Sequence, residues 1–259
     1  MLSNMKNETK SKVFTAIGLD FETGGRDCTI HACTQISMQA VRMDTWETMD
    51  KYVSYFLPYE KKETGNTAKR KKLKTKHELE NETAVMEIEE EALKYSGLTM
   101  DMLLKMGIDV NTVARDILDF AARNTLSTGK KYKPVVIGQN IPFDIGFLQQ
   151  LMNYAGLVKE FEKTFSGTKD FYGNFQPHCI DTLLLARMAF AHDSSVSSYK
   201  LEMICERFSL ELDDAHDADA DVTAALDICR VVSGRLRTNE GVNGVLIPKK
   251  EKSRKYFKI

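Results

Sequence analysis

The sequence predicts an α/β fold, a mixed five-stranded sheet with helices on both faces. Three observations carry this expectation. A first block of apolar or alternating segments reads as strands, later strands alternate with helical patterns, and Gly, Pro, Asn or Asp marks the junctions between them. A chain of 259 residues, 42% hydrophobic and 28% charged, is long enough for one large core with tails. The domain is expected over residues 13–236, with a flexible segment at 1–12, a charged insertion at about 59–91 and a basic tail at 237–259.

The elements follow in order. "VFTAIGLDFE" (13–22) is mostly apolar, with β-branched and aromatic members, and stops at Thr23, Gly24 and Gly25, as a central strand does. "HACTQISMQAVRM" (31–43) and "ETMDKYVSYFLPY" (47–59) alternate around a turn near Asp44 and Thr45, the pattern of an antiparallel hairpin. Helices are expected at "MEIEEEALKYSG" (86–97) and, capped by Asn111, at "NTVARDILDFAARN" (111–124), where Val113, Ile117 and Phe120 recur at helical spacing. "KPVVIG" (133–138) has the all-apolar character of a strand buried on both faces. "FDIGFLQQLMNYAGL" then opens a helix with Asp144 in its first turn. "HCIDTLLLARMAFA" reads as a fifth strand entering a helix that starts at Asp181 and Thr182. "SYKLEMICERFSL" and "DADADVTAALDICRVVSGRL" complete the helices.

Composition excludes several classes of function. Five cysteines, an odd count with no CxxC pair, suit a reducing compartment and read as small core residues. The polar start "MLSNMKNETKSK" has no apolar signal core, and no run of about 18 apolar residues occurs, so a cytoplasmic protein without a membrane partner is expected. A net charge of −1 gives no global attraction to nucleic acid, which leaves local patches. The basic stretch at 60–76 is answered by the glutamate-rich 77–91 and reads as a solvated insertion; a second basic stretch closes the chain at 248–259.

The chemistry starts from an anomaly. The first strand ends in Asp20 and Glu22, although Asp is depleted in strands and costly to bury without a partner. A strand's period of two puts both carboxylates on one face. Asp144 sits at a strand-to-helix junction, where open α/β sheets place their ligands. In "HDADAD", His216 precedes the last helix and Asp221 is expected one and a half turns into it. Each feature alone has a structural reading: strand-end acids facing lysine, a helix acid favoured by the macrodipole, an acidic first turn, a capping histidine. The three segments fall together at element junctions, which the structural readings leave as a triple coincidence.

"DFET", "NIPFD" and His216 followed five residues later by Asp221 resemble the three motifs of the DEDDh family of 3′ to 5′ exonucleases, of the ribonuclease-H-like superfamily. "CIDTLLLAR" and "YKLEMICERFSLEL" resemble that family's segments ahead of its last motif, so the likeness covers most of 13–235. The family includes the proofreading epsilon subunit of bacterial DNA polymerase III, oligoribonuclease and other trimming enzymes. The resemblance implies a ribonuclease-H-like sheet. It further implies a metal site of Asp20, Glu22, Asp144 and Asp221, two divalent cations (Mg²⁺ or Mn²⁺), His216 as general base, and a single-stranded 3′ end as substrate. DNA is the first reading of that substrate and RNA trimming the alternative, with a polymerase as possible partner; a non-catalytic binding module of the same fold is the third. Asp217 and Asp219 are rival acids, separated from Asp221 only by the spacing from His216. Many relatives have two threonines and then glycine where this chain reads Thr23, Gly24, Gly25, which bears on one contact near the terminal nucleotide.

Elementary chemistry supports that ligand set. Hydroxide must reach an anionic phosphorus, and two divalent ions roughly 3.5 to 4 Å apart supply both the nucleophile and charge for the leaving oxygen. Hard oxygen donors suit Mg²⁺ or Mn²⁺. An imidazole with an unperturbed pKa of about 6.5 can take a proton near neutral pH. Thr23, Asn140 and Phe143 are the candidate substrate contacts; Asn140 also reads as a brace of its junction, and Phe143, like Phe21, as a core residue. In 157–176, Lys159, Lys163 and Lys169 interleave with Phe161, Phe165, Phe171, Tyr172 and Phe175, a composition that suits either base stacking or a loop folded onto the body.

Overall fold

The first strand, β1 (Thr15–Thr23), divides its residues by face, and the rest of the domain is arranged around that division. Ile17, Leu19 and Phe21 point one way; Ala16, Gly18, Asp20 and Glu22 point the other. The computed structural model describes residues 12–62, 85–212 and 217–237.

In chain order the remaining elements are β2 (Cys33–Arg42), β3 (Thr48–Tyr55), α1 (Glu90–Tyr95), α2 (Met100–Met106), α3 (Val110–Arg123), β4 (Val135–Gly138), α4 (Pro142–Ala155) and α5 (Val158–Thr164). They continue with β5 (Gly167–Lys169), β6 (Phe175–Pro177), β7 (Cys179–Asp181), α6 (Thr182–Ala189), α7 (Leu201–Phe208) and α8 (Ala218–Arg237). The main sheet has five strands in the order β3-β2-β1-β4-β7, while β5 and β6 form a separate hairpin. β1–β2 and β2–β3 are antiparallel; β1–β4 and β4–β7 are parallel, so the sheet is mixed as expected.

Two layers cover it. Ile17, Leu19, Phe21, Ile36 and Met38 pack against Val113, Ile117 and Phe120 of α3 and Phe147, Leu148 and Leu151 of α4. On the opposite face Ala16, Val41 and Ile137 meet Val222, Leu226 and Cys229 of α8. Ala186, Ile204 and Phe208 of α6 and α7 then close over Ile228 and Val232. Both faces of β1 are therefore under helices, which is why an acid there stands out. No helix among the described residues is long and apolar enough to cross a membrane.

Several expectations are corrected. The helix expected at 86–97 begins only at Glu90, because Met86 and Glu87 give their N–H groups to the carbonyls of Tyr59 and Ile30, 3.0 Å away in each case. Helix α2 was not foreseen; Thr99 caps it by accepting from the N–H of Met102. The cap of α3 is Asp109, not Asn111, since its carboxylate accepts from the N–H groups of Asn111 and Thr112. The β5–β6 hairpin was read only as a loop. Cys33, Cys205 and Cys229 are buried as expected, whereas Cys179 is exposed and Cys28 half-buried; all five are free. The basic stretch expected to be solvated falls mostly on residues 63–84, which with 1–11 and 238–259 lie outside the described residues.

Candidate active site

Gly18 fixes how closely α8 lies on the central strand. A Cβ there would stand 2.8 Å from Val222 Cγ1 and 3.0 Å from Leu226 Cδ1, so the strand accepts this helix only with a bare backbone. Two residues further along the same face is Asp20, and beside Val222 on the helix is Asp221. The packing that seats α8 thereby sets these two acids at one end of the sheet. Asp221 lies in the first turn of α8, earlier than expected.

Asp144 arrives from the other layer. Pro142 opens α4, and Asp144 in its first turn is buried to 3% exposure. The β1–β4 ladder pairs Ala16–Gly18 with Val135–Ile137 and goes no further. Beyond it the N–H of Phe21 has no strand to bond, and the Asp144 carboxylate takes it at 3.0 Å. Asp144 is thus tied between Asp20 and Glu22. Asp181 braces the next junction: one carboxylate oxygen accepts from the N–H groups of Asn140 (2.9 Å) and Leu183 (3.0 Å). Asn140, with φ at +52°, is held in the left-handed region by this bond. The helix-start reading of Asp181 and the bracing reading of Asn140 both agree with this geometry.

The electrostatics follow from the crowding. Burial pushes the Asp20 carboxyl well above the usual range, and the neighbouring charges of Asp144, Glu22, Asp221 and Asp217 push it further. Burial, then Asp221 and Asp217, raise Glu22 to about 7. Burial also raises Asp144 to about 8, opposed by the Phe21 N–H bond and assisted by Glu22 and Asp181. The four sequence-predicted acids Asp20, Glu22, Asp144 and Asp221 act on one another's protons, with exposed Asp217 as an outlying member. Asp219 behaves otherwise. Burial raises its pKa, but hydrogen bonds from Lys51, Gln39 and Ser37 outweigh that and hold it below the usual range. His216 lies outside the described residues.

Among the described residues no three His, Cys, Asp or Glu side chains are grouped closely enough to hold a metal ion as they stand. The donor set nonetheless fits one: carboxylates whose proton affinity is raised by burial and by one another's charge are the hard oxygen donors that Mg²⁺ or Mn²⁺ selects.

The other predicted positions resolve individually. The Thr23 hydroxyl donates to the Gly25 carbonyl at 2.7 Å. At Gly24 a Cβ would stand 2.6 Å from the Glu87 carbonyl and 2.7 Å from Ile88 Cα, so the insertion's backbone accounts for a glycine here. Phe143 is half-buried on the core with its ring 5.1 Å from Phe147, and Phe21 is buried. In the aromatic segment, Phe161, Phe165 and Phe175 are buried against one another, whereas Phe171 and Tyr172, at the hairpin tip, are 96% and 80% exposed.

A cleft of about 640 Å³ opens beside Asp221, walled by Tyr95 of α1, Gln139 and Asn140, Arg187 of α6 and the segment leading into α7. Sequence reasoning missed Tyr95, Arg187 and Lys200, whose helical segments it read without a sign that they meet in one cleft, and it missed the Lys51, Gln39 and Ser37 contacts to Asp219.

A mixed sheet in this strand order, with acids at the end of its central strand and in the first turns of two helices, defines a ribonuclease-H-like nuclease scaffold. Residues 17–229 match the RNase_T exonuclease family, and the chain belongs to that family. Solved structures with the same fold include Escherichia coli exonuclease I in a zinc-bound complex with single-stranded DNA, at 17% identity and a TM-score of 0.58 over 86% of this chain and 41% of that one. The same enzyme with a dT13 oligonucleotide matches at 18% identity and a TM-score of 0.57, over 86% of this chain and 42% of that one. The chain thus spans about two fifths of the length of these structural relatives.

Proposed function

We propose that this chain is a metal-dependent exonuclease that removes nucleoside 5′-monophosphates from the 3′ end of a single strand. The observation that carries the reading is the convergence of Asp20, Glu22, Asp144 and Asp221 on one end of the sheet, with proton affinities raised by burial and by one another's charge.

Asp20, Glu22, Asp144 and Asp221 would hold two divalent cations. Such ions, when bound, supply a hydroxide nucleophile at neutral pH and charge for the departing oxygen. The protein's own share is orientation. Asp144 is fixed by the Phe21 N–H, Asp221 by the seating of α8 on Gly18, and Asn140 by Asp181. His216, ahead of α8, would take the proton of the attacking water on its imidazole. DNA is the first substrate to try, because the fold is shared with exonuclease I bound to single-stranded DNA. A polymerase partner rests on the resemblance to the epsilon subunit.

The test is incubation with end-labelled single-stranded DNA, single-stranded RNA and a mispaired duplex, with Mn²⁺ or with EDTA. Stepwise ladders from the 3′ end and free mononucleotides, with Mn²⁺ only, are the expected result. Binding without release from any of the three, at any Mn²⁺ concentration, leaves a non-catalytic module and removes the proposal.

A further inference from the structure

We infer that the cleft beside Asp221 is the track for the phosphodiester backbone upstream of the nucleotide being removed, with Arg187 and Lys200 as its phosphate contacts. The inference rests on the exonuclease reading and adds where, and by which groups, the rest of the strand is held.

The acid cluster sets the problem. Four carboxylates repel a polyanion, so a strand that brings one phosphate among them needs cations a little way off. Arg187 and Lys200 both line the cleft, together with the acids Glu202 and Asp221. Among the described residues neither is drawn into an ion pair, so their charge is available to a ligand. The cleft, about 640 Å³, falls within the roughly 300–1,000 Å³ of ordinary ligand sites.

Arg187 is also held in place. Its guanidinium lies 5.6 Å from the centre of the Tyr199 ring. The carbonyl of Tyr199 accepts from Gln139 Nε2 at 2.9 Å, and Gln139 Oε1 accepts from the Thr182 hydroxyl at 2.6 Å. Gln139 directly follows β4, whose end also leads to Asn140 and Asp144. The guanidinium is therefore referenced to the same strand end as the second-motif acid, a pre-organisation that lowers the cost of binding. Tyr95 of α1 also lines the cleft. Asp221 is the lining residue that also acts on Asp20 and Glu22, so the 3′ end goes toward it.

The experiment separates strand binding from the chemical step. Affinity for a fluorescent single-stranded oligonucleotide is measured in EDTA across a salt series, for the wild type, Arg187→Ala, Lys200→Ala and the double variant. Hydrolysis of the p-nitrophenyl ester of thymidine 5′-monophosphate, too short to reach both cations, is followed with Mn²⁺. The expected result is tenfold or greater loss of affinity in the double variant, with the slope of log affinity against log salt shallower by about 0.7 per lost phosphate contact, and ester hydrolysis within about twofold of wild type. Arg187→Lys should restore part of the affinity. Equal affinity and slope in the double variant overturn the inference whether or not the protein is active, as does parallel loss of ester hydrolysis. A wild type that binds through Arg187 and Lys200 but hydrolyses nothing overturns the exonuclease reading alone and leaves the track standing.

Discussion

The side-chain amide of Gln39, only 1% exposed, reaches across from β2 to Asp219 and donates to its carboxylate at 2.8 Å. The same nitrogen stands 3.2 Å from the Asp219 carbonyl and 2.7 Å from the Thr223 hydroxyl, while Ser37 (3.1 Å) and Lys51 (2.9 Å) complete the grip on the carboxylate. The first turn of α8 is thereby pinned to the antiparallel half of the sheet, and Asp221, two residues on, is left facing the other acids. Asp219 fastens the helix to the sheet. Asp219→Asn should therefore keep mononucleotide release within a few fold of wild type, whereas Asp221→Asn should abolish it; equal loss in both would make Asp219 part of the chemistry. Gln39→Leu, which removes a buried donor from partly buried acceptors, should lower stability by about 1 kcal/mol in urea denaturation.

Gly18 gives a second handle on the same geometry. A Cβ placed 2.8 Å from Val222 and 3.0 Å from Leu226 must push α8 away from β1. Gly18→Ala should cost about 1–3 kcal/mol, the usual range for overpacking a filled interface. Because Asp20 and Asp221 lie on the two surfaces being separated, the variant should also need more Mn²⁺ for half-maximal release. A variant that is destabilised yet keeps the wild-type Mn²⁺ requirement would show that the seating of α8 does not set the acid spacing.

The pH dependence of stability runs opposite to that of an ion-paired carboxylate. Glu22 and Asp144 are raised to about 7 and about 8, so between the unfolded values near 4 and those values the folded protein binds more protons than the unfolded chain. As far as these groups determine it, stability of the metal-free protein should be greatest at about pH 4 and below, and fall as pH rises from there to about 8. Asp144→Asn removes one of the buried acids and should flatten that fall while ending catalysis. Mn²⁺, which replaces the protons, should raise the melting temperature more at pH 8 than at pH 5.5. A metal-induced shift independent of pH would mean that the ions bind elsewhere.

Much of this was legible in the sequence because the signals were local. The alternation in β2 and β3, the apolar runs of β1 and β4 and the 3.6-residue period of α3 survive any tertiary context. The acids were legible because Asp20 and Glu22 contradict the strand that carries them. What failed depends on partners distant in sequence. Met86 and Glu87 look helical until Tyr59 and Ile30 take their N–H groups. Asp219 looks equivalent to Asp221 until Gln39, 180 positions away, is seen to hold it. Gly24 looks like a departure from a motif until the backbone of Glu87 and Ile88 is found lying on it. Arg187 and Lys200 lie in separate segments that nothing local marks as neighbours; only the cleft collects them.

The aromatic segment separates into two populations with different expected costs. Phe161, ringed by Phe165 at 5.3 Å and Phe175 at 5.0 Å, is part of the core, so Phe161→Ala should cost about 3–5 kcal/mol. Phe171 and Tyr172 touch each other, at 5.4 Å, and are otherwise in solvent. Changing both to Ala should alter stability by no more than about 0.5 kcal/mol. Chemical denaturation of the two variants side by side checks the division, and a large loss in the tip variant would place those rings in the fold instead.

Asp20 and His216 should differ in the kind of loss they produce. Asp20 stands among Asp144, Glu22 and Asp221, each of which raises its pKa, so it is the group whose removal most disperses the negative charge that would hold a cation. Asp20→Ala should lose both mononucleotide release and the heat of Mn²⁺ binding in titration calorimetry. A base that only accepts the water's proton contributes about 10² to 10⁴ in rate without holding the ions. His216→Ala should therefore slow release by that factor and leave the Mn²⁺ isotherm unchanged, and its residual rate should rise with pH as hydroxide takes over the role of the base. If both variants lost Mn²⁺ binding, His216 would belong with the ligands, and the proton would have to leave by another route.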